Sequence, residues 1–99
     1  MSTERILLST DEIKNSSKAL PHWEVKGNKS FKRKFHFDNF IQAFAFMTKV
    51  AIISEKMSHH PEWTNIYSDV EINLTTHDIG GISKLDFSLA KAIDELYCI

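Results

Sequence analysis

The sequence predicts an α+β fold, with helix, hairpin, helix, hairpin and helix in that order, about four antiparallel strands, and the helices packed on one face of the sheet. Three observations carry this expectation. Two stretches alternate apolar and polar residues around turn signals, which is the pattern of half-buried hairpins. Between them, residues 38–57 contain neither Gly nor Pro and are rich in helix-forming and apolar side chains. Near each end of the chain a Ser is followed three residues later by an acid, the spacing of a capping box.

The first box, Ser9-Thr10-Asp11-Glu12, opens a short helix whose Ile13, Ser16, Ser17 and Leu20 form a weakly amphipathic run up to Pro21. Trp23-Glu24-Val25 and a Gly27-Asn28 turn follow. Then Phe31, Arg33, Phe35 and Phe37 alternate with Lys32, Lys34 and His36, so the first hairpin has one buried face and His36 lies on the polar one. Asp38 is the expected N-cap of the longest helix, which runs to about Met57. Its apolar residues, among them Phe40, Ile41, Phe44, Met47 and Val50, cover more of the circumference than one sheet contact uses. The surplus is expected to be deep core or a subunit interface.

After Pro61, Trp63, Asn65 and Tyr67 alternate with Thr64 and Ile66, and a turn is expected at Ser68-Asp69. Val70, Ile72, Leu74 and Thr76 then alternate with Glu71, Asn73 and Thr75 to complete the second hairpin. Gly80-Gly81 breaks that pattern. Ser83 and Asp86 open the final helix, in which Leu85, Leu89, Ala92, Ile93 and Leu96 recur at helical spacing.

Ninety-nine residues, 42% hydrophobic and 25% charged, fit a single domain spanning 1–99. A net charge of -1 argues against binding to a phosphate backbone, and Lys32-Arg33-Lys34 reads as the solvated face of a strand. The lone cysteine, Cys98, excludes an internal disulfide and a Cys-based zinc cage, and its penultimate position is a poor one for a nucleophile. The apolar run Ile6-Leu7-Leu8 is too short for a signal-peptide core and no stretch approaches a membrane span, so a cytoplasmic protein is expected.

The chemistry lies with the histidines. The chain has five, and two are adjacent in Ser58-His59-His60-Pro61-Glu62-Trp63. The residue before a proline is driven into an extended conformation, and extended backbone sends successive side chains to opposite sides. His59 and His60 are therefore not expected to chelate one ion side by side. His77 follows the last strand, and tight pairing of the second hairpin would bring it opposite His59 and His60. Glu55, at the end of the long helix, and Asp86, at the start of the last one, can orient an imidazole or bind a polar ring.

Glu55, three residues, His59-His60-Pro61, five residues, Tyr67, nine residues, His77, eight residues, Asp86: this spacing resembles the signature of the pterin-4a-carbinolamine dehydratases. The stretches FHFDNFIQAFAFMTKVA, EKMSHHPEWTNIYSDVEINLTTHDIGG and LDFSLAKAIDEL are similar to that family over roughly Trp23 to Leu96. The resemblance implies dehydration of 4a-hydroxytetrahydropterin (4a-hydroxytetrahydrobiopterin) to the quinonoid dihydropterin, in pterin recycling, with no metal or organic cofactor. It implies His59 and His77 as the acid/base pair, His60 as a pterin-positioning residue, and Glu55 and Asp86 as groups that fix rings or bind the polar edge. Trp23 and Trp63 either flank the flat heterocycle or belong to the core. Two positions depart from the pattern. Ser58 stands where the family often has Asp or Asn, and Leu85 stands where a basic residue commonly precedes the acid.

The same resemblance implies a homo-oligomer, a tetramer or a dimer, in the cytoplasm. It also carries an alternative: in animals the family includes a nuclear binding role, in which this fold stabilises dimers of a homeodomain transcription factor. A histidine-based zinc hydrolase is the weakest reading, because no His at i+2 or i+4 supplies a familiar ligand pair.

Overall fold

The structure, a computed structural model, describes residues 6–97, so Cys98 lies outside the described residues. Its elements are α1 (Thr10–Lys18), β1 (Glu24–Lys26), β2 (Ser30–His36), α2 (Phe40–Met57), β3 (Glu62–Ile66), β4 (Asp69–Leu74), a 3₁₀ turn (His77–Ile79) and α3 (Lys84–Tyr97). The α+β order read from the sequence is the order found.

Local chemistry explains most boundaries. At α1 the Ser9 N–H donates to Glu12 Oε1 at 2.8 Å and the Glu12 N–H to Ser9 Oγ at 3.1 Å, a complete capping box. The turn after β1 has both central residues in the left-handed region, Gly27 at φ 56 and Asn28 at φ 57, as a type I′ turn requires. It is closed by the Lys29 N–H on the Lys26 carbonyl at 2.9 Å. The N-cap of α2 is Asn39 rather than Asp38. Asn39 is the extended residue, and its side chain accepts from the Gln42 N–H at 2.9 Å, while the Asp38 N–H donates to Gln42 Oε1.

The four strands form one antiparallel sheet in the order β1-β2-β4-β3. Pairing of Ile66 with Asp69 leaves Tyr67 and Ser68 as the turn of the second hairpin, one residue earlier than the sequence suggested. Tyr67 there takes φ 51 instead of a strand conformation. Side chains alternate across the sheet. Phe31, Phe35, Val70, Ile72 and Leu74 face the helices and are buried against Val50, Leu89 and Ile93, whereas Lys32, Lys34, Glu71 and Asn73 occupy the open face. Arg33 shares the helix side with Phe31 and Phe35. Its guanidinium lies 2.6 Å from Asp94 and over the rings of Phe35 and Tyr97, so this cation is paired and stacked rather than solvated. Among the described residues no helix is long and apolar enough to cross a membrane.

Candidate active site

The site begins where α2 ends. Ser58 adopts φ 54, ψ 39, its N–H donates to the Glu55 carbonyl at 3.1 Å, and the His59 N–H donates to the Ser54 carbonyl at 3.0 Å. These are the two paired bonds of a Schellman motif, with Ser58 in the left-handed place that glycine usually fills. A non-glycine residue there costs about 1 kcal/mol, which Asn and Asp, with local side-chain hydrogen bonds, tolerate best. Ser58 thus shapes the backbone that delivers the histidines.

From that turn the two imidazoles diverge. His59 is buried, at 6% exposure, with Nε2 2.6 Å from Asp86 Oδ1. His60 is exposed, with Nε2 2.8 Å from Glu55 Oε1. Asp86 has no exposed surface. Its Oδ2 also accepts from Thr76 Oγ1 at 2.8 Å and from the Ser83 N–H at 2.9 Å. The Thr76 hydroxyl has one proton and gives it to Asp86, so the Ser83 hydroxyl, 2.7 Å away, donates to Thr76. The Thr76 N–H donates to the Gly81 carbonyl at 2.8 Å, which pins the loop that starts with His77. One buried carboxylate therefore ties the segment before β3, the end of β4 and the start of α3 together.

His77 opens the 3₁₀ turn, and its Nε2 faces Glu62 Oε2, on the first residue of β3. The pair borders a hollow of about 350 Å³ on the open side of the sheet, lined also by Lys29, Ser30, Asn73 and Thr75. His59, His60 and His77 thus lie at one end of the β3–β4 hairpin, each against its own carboxylate: Asp86, Glu55 and Glu62. Among the described residues no group of three or more His, Cys, Asp or Glu side chains is arranged to hold a metal ion.

The remaining sequence candidates are placed unevenly. Pro61 and Trp63 are half-buried, with Trp63 packed against the core opposite Ile72. Trp23 is a core residue: it is 5% exposed, its Nε1 donates to Asp94 at 2.8 Å, and its ring meets Phe35 edge-on. A place flanking a bound heterocycle is therefore not open to it. Tyr67 is exposed at the β3–β4 turn, the far end of that hairpin from the histidines, and β3 alone separates them by about 15 Å at roughly 3.3 Å per residue. Glu62 was missed in the sequence. Its signal was the pairing of its strand with the one that ends just before His77.

One end of the helix-covered antiparallel sheet thus carries three imidazoles paired with carboxylates, two of the rings exposed and one buried. The family model for pterin 4 alpha carbinolamine dehydratase matches residues 6–96, and the chain belongs to that family. It is 62% identical over 93 residues to a provisionally named pterin-4-alpha-carbinolamine dehydratase of Prochlorococcus marinus, covering 94% of this chain and 96% of that one. A similarly named Synechococcus protein is 51% identical over 90 residues, covering 91% and 96%. Among solved structures, a transcriptional coactivator/pterin dehydratase from Brucella melitensis superposes with a TM-score of 0.88 at 35% identity, covering 93% of this chain and 99% of that one. A pterin dehydratase-like protein described as a RuBisCO assembly factor in the alpha-carboxysome is more distant, at TM-score 0.65 and 25% identity, covering 76% and 88%.

Proposed function

We propose that this chain is a cytoplasmic hydro-lyase that dehydrates 4a-hydroxytetrahydropterin to the quinonoid dihydropterin. The observation that carries the reading is the gathering of His59, His60 and His77 at one end of a hairpin, each with its own carboxylate, in a chain of this family. The reaction breaks the C4a–O bond: the departing hydroxyl takes a proton and leaves as water, while a pterin N–H gives up a proton as the new double bond forms. Imidazoles supply and accept protons near neutral pH, so the reaction needs no electron carrier.

In this reading His59 and His77 exchange the protons. Asp86 holds His59 Nε2, which leaves Nδ1 as the working nitrogen, in the manner of a base oriented by a buried carboxylate. His60, exposed and turned toward Glu55, holds the pterin. The reading is tested by following the loss of a freshly generated 4a-hydroxytetrahydropterin with purified protein, after subtracting the uncatalysed rate. A rate equal to background refutes it.

A second reading, a binding module, is favoured by one feature. Phe40, Ile41, Phe44 and Ile52 of α2 are large, apolar and exposed. We assign this stripe to a homo-oligomeric contact, tetrameric or dimeric, which is compatible with catalysis. A docking role toward a transcription factor would use the same stripe and would be the reading to adopt if dehydration were absent.

A further inference from the structure

We propose that Glu62 is the positioning residue of His77, and that the hollow they share on the open sheet face is where His77 meets its ligand; the proposal rests on the dehydratase reading. Glu62 falls among the five residues between Pro61 and Tyr67 that the family spacing leaves unspecified. Register places it: Glu62 pairs with Asn73, so its side chain leaves the sheet on the open side, where the chain returns with His77. There Glu62 Oε2 faces His77 Nε2.

The consequence follows from imidazole chemistry. A carboxylate accepts but does not donate, so the ring nitrogen facing it carries the proton and the other presents its lone pair. Glu62 therefore keeps His77 Nε2 protonated and turns Nδ1 toward the ligand. The rest of the hollow, with Lys29, Ser30, Asn73 and Thr75, offers donors and acceptors suited to the polar edge of a pterin. His77 and Glu62 keep 74% and 54% of their side-chain surface exposed, so water screens the pair. The effect is accordingly smaller than the roughly 10⁴-fold seen when a buried orienting carboxylate is lost: about 10–100-fold.

The test is a double-mutant cycle on the dehydration rate. Glu62→Gln is expected to lower kcat by about 10–100-fold with KM changed less than about threefold, and to do nothing further in a His77→Ala background. Glu62→Asp, which keeps the charge, should recover part of the loss. An equal loss with and without His77, or no loss at all, overturns the proposal. A second arm needs no activity: carbon relaxation at the His77 ring of the ligand-free protein. The ring should be ordered in the wild type and mobile, with an order parameter below about 0.6, in Glu62→Gln. Equal order in both proteins also overturns it. If the wild type fails to dehydrate the pterin, the dehydratase reading falls, and the relaxation arm still decides whether Glu62 holds His77.

Discussion

Replacing Asp86 with Asn keeps the side-chain volume and removes one acceptor. The carboxylate accepts from His59 Nε2, Thr76 Oγ1 and the Ser83 N–H, and it is completely buried. The amide can be placed in two ways. With its NH₂ toward Ser83, a buried backbone N–H faces a donor, at about 1–3 kcal/mol, and the Thr76 hydroxyl must turn over. With its NH₂ toward His59, both Oδ2 bonds survive and the imidazole changes tautomer, so that Nε2 accepts and Nδ1 carries the proton. The second arrangement wins. It exchanges one hydrogen bond to a charged group, worth about 1.5–3 kcal/mol, for a neutral one near 1 kcal/mol. The expected destabilisation is therefore about 1–2 kcal/mol, or about 5–15 °C in Tm for a domain of this size. On the proposal that His59 Nδ1 exchanges the proton, the tautomer change is more damaging to function, because it leaves Nδ1 already protonated, and kcat should fall by about 10²–10⁴-fold. Thermal unfolding and the dehydration rate of the same preparation measure both. A variant with wild-type kcat, or one that loses Tm in proportion to activity and nothing more, would refute the assignment of Asp86 as the group that sets the His59 tautomer.

Other outcomes follow from single residues. The Ser9 backbone N–H, and then the Ser9 hydroxyl, hold the Glu12 carboxyl below its ordinary value of 4.5. A depressed folded value stabilises above the unfolded value and the benefit is lost as pH falls through the folded one, so Glu12→Gln should lower Tm at pH 7 by an amount that shrinks as pH falls below 4.5. Ser58→Gly should relieve the left-handed strain and raise stability by about 0.5–1 kcal/mol in urea titrations, whereas Ser58→Val should lower it. Phe44→Glu, in the exposed stripe of α2, should reduce the mass measured by light scattering without changing the circular dichroism of the subunit; an unchanged oligomer would place the contact elsewhere.

Periodicity and capping made the element order legible: alternation marked Phe31, Arg33 and Phe35 as one face, and Ser9 and Glu12 located the first helix. The misses share a cause. A turn inside a polar-apolar alternation has no local mark when its left-handed residue is a tyrosine, so Tyr67 read as strand, and Asp38 next to Asn39 offered two N-caps of equal propensity. The conformation of Ser58 was likewise hidden, since propensity assigns that place to glycine. Trp23 could be placed only once Asp94, 71 positions away, was known to accept its Nε1 proton. Within the site, the spacing nominated the histidines together with Glu55 and Asp86, yet the spacing alone could not say which carboxylate meets which ring. That depends on the strand order β1-β2-β4-β3 and on the register of β3 with β4, and the Glu62–His77 pair is the clearest product of both.

The central claim is that these histidines divide the work of one dehydration. It is tested most directly by kcat and KM for wild type, His59→Ala, His60→Ala and His77→Ala on 4a-hydroxytetrahydropterin, with the uncatalysed rate subtracted and folding checked for each variant. The account predicts that His59→Ala and His77→Ala lower kcat by about 10²–10⁴-fold at nearly constant KM, and that His60→Ala raises KM while keeping much of kcat. Equal losses at all three positions, or full activity without His59 or His77, would contradict it.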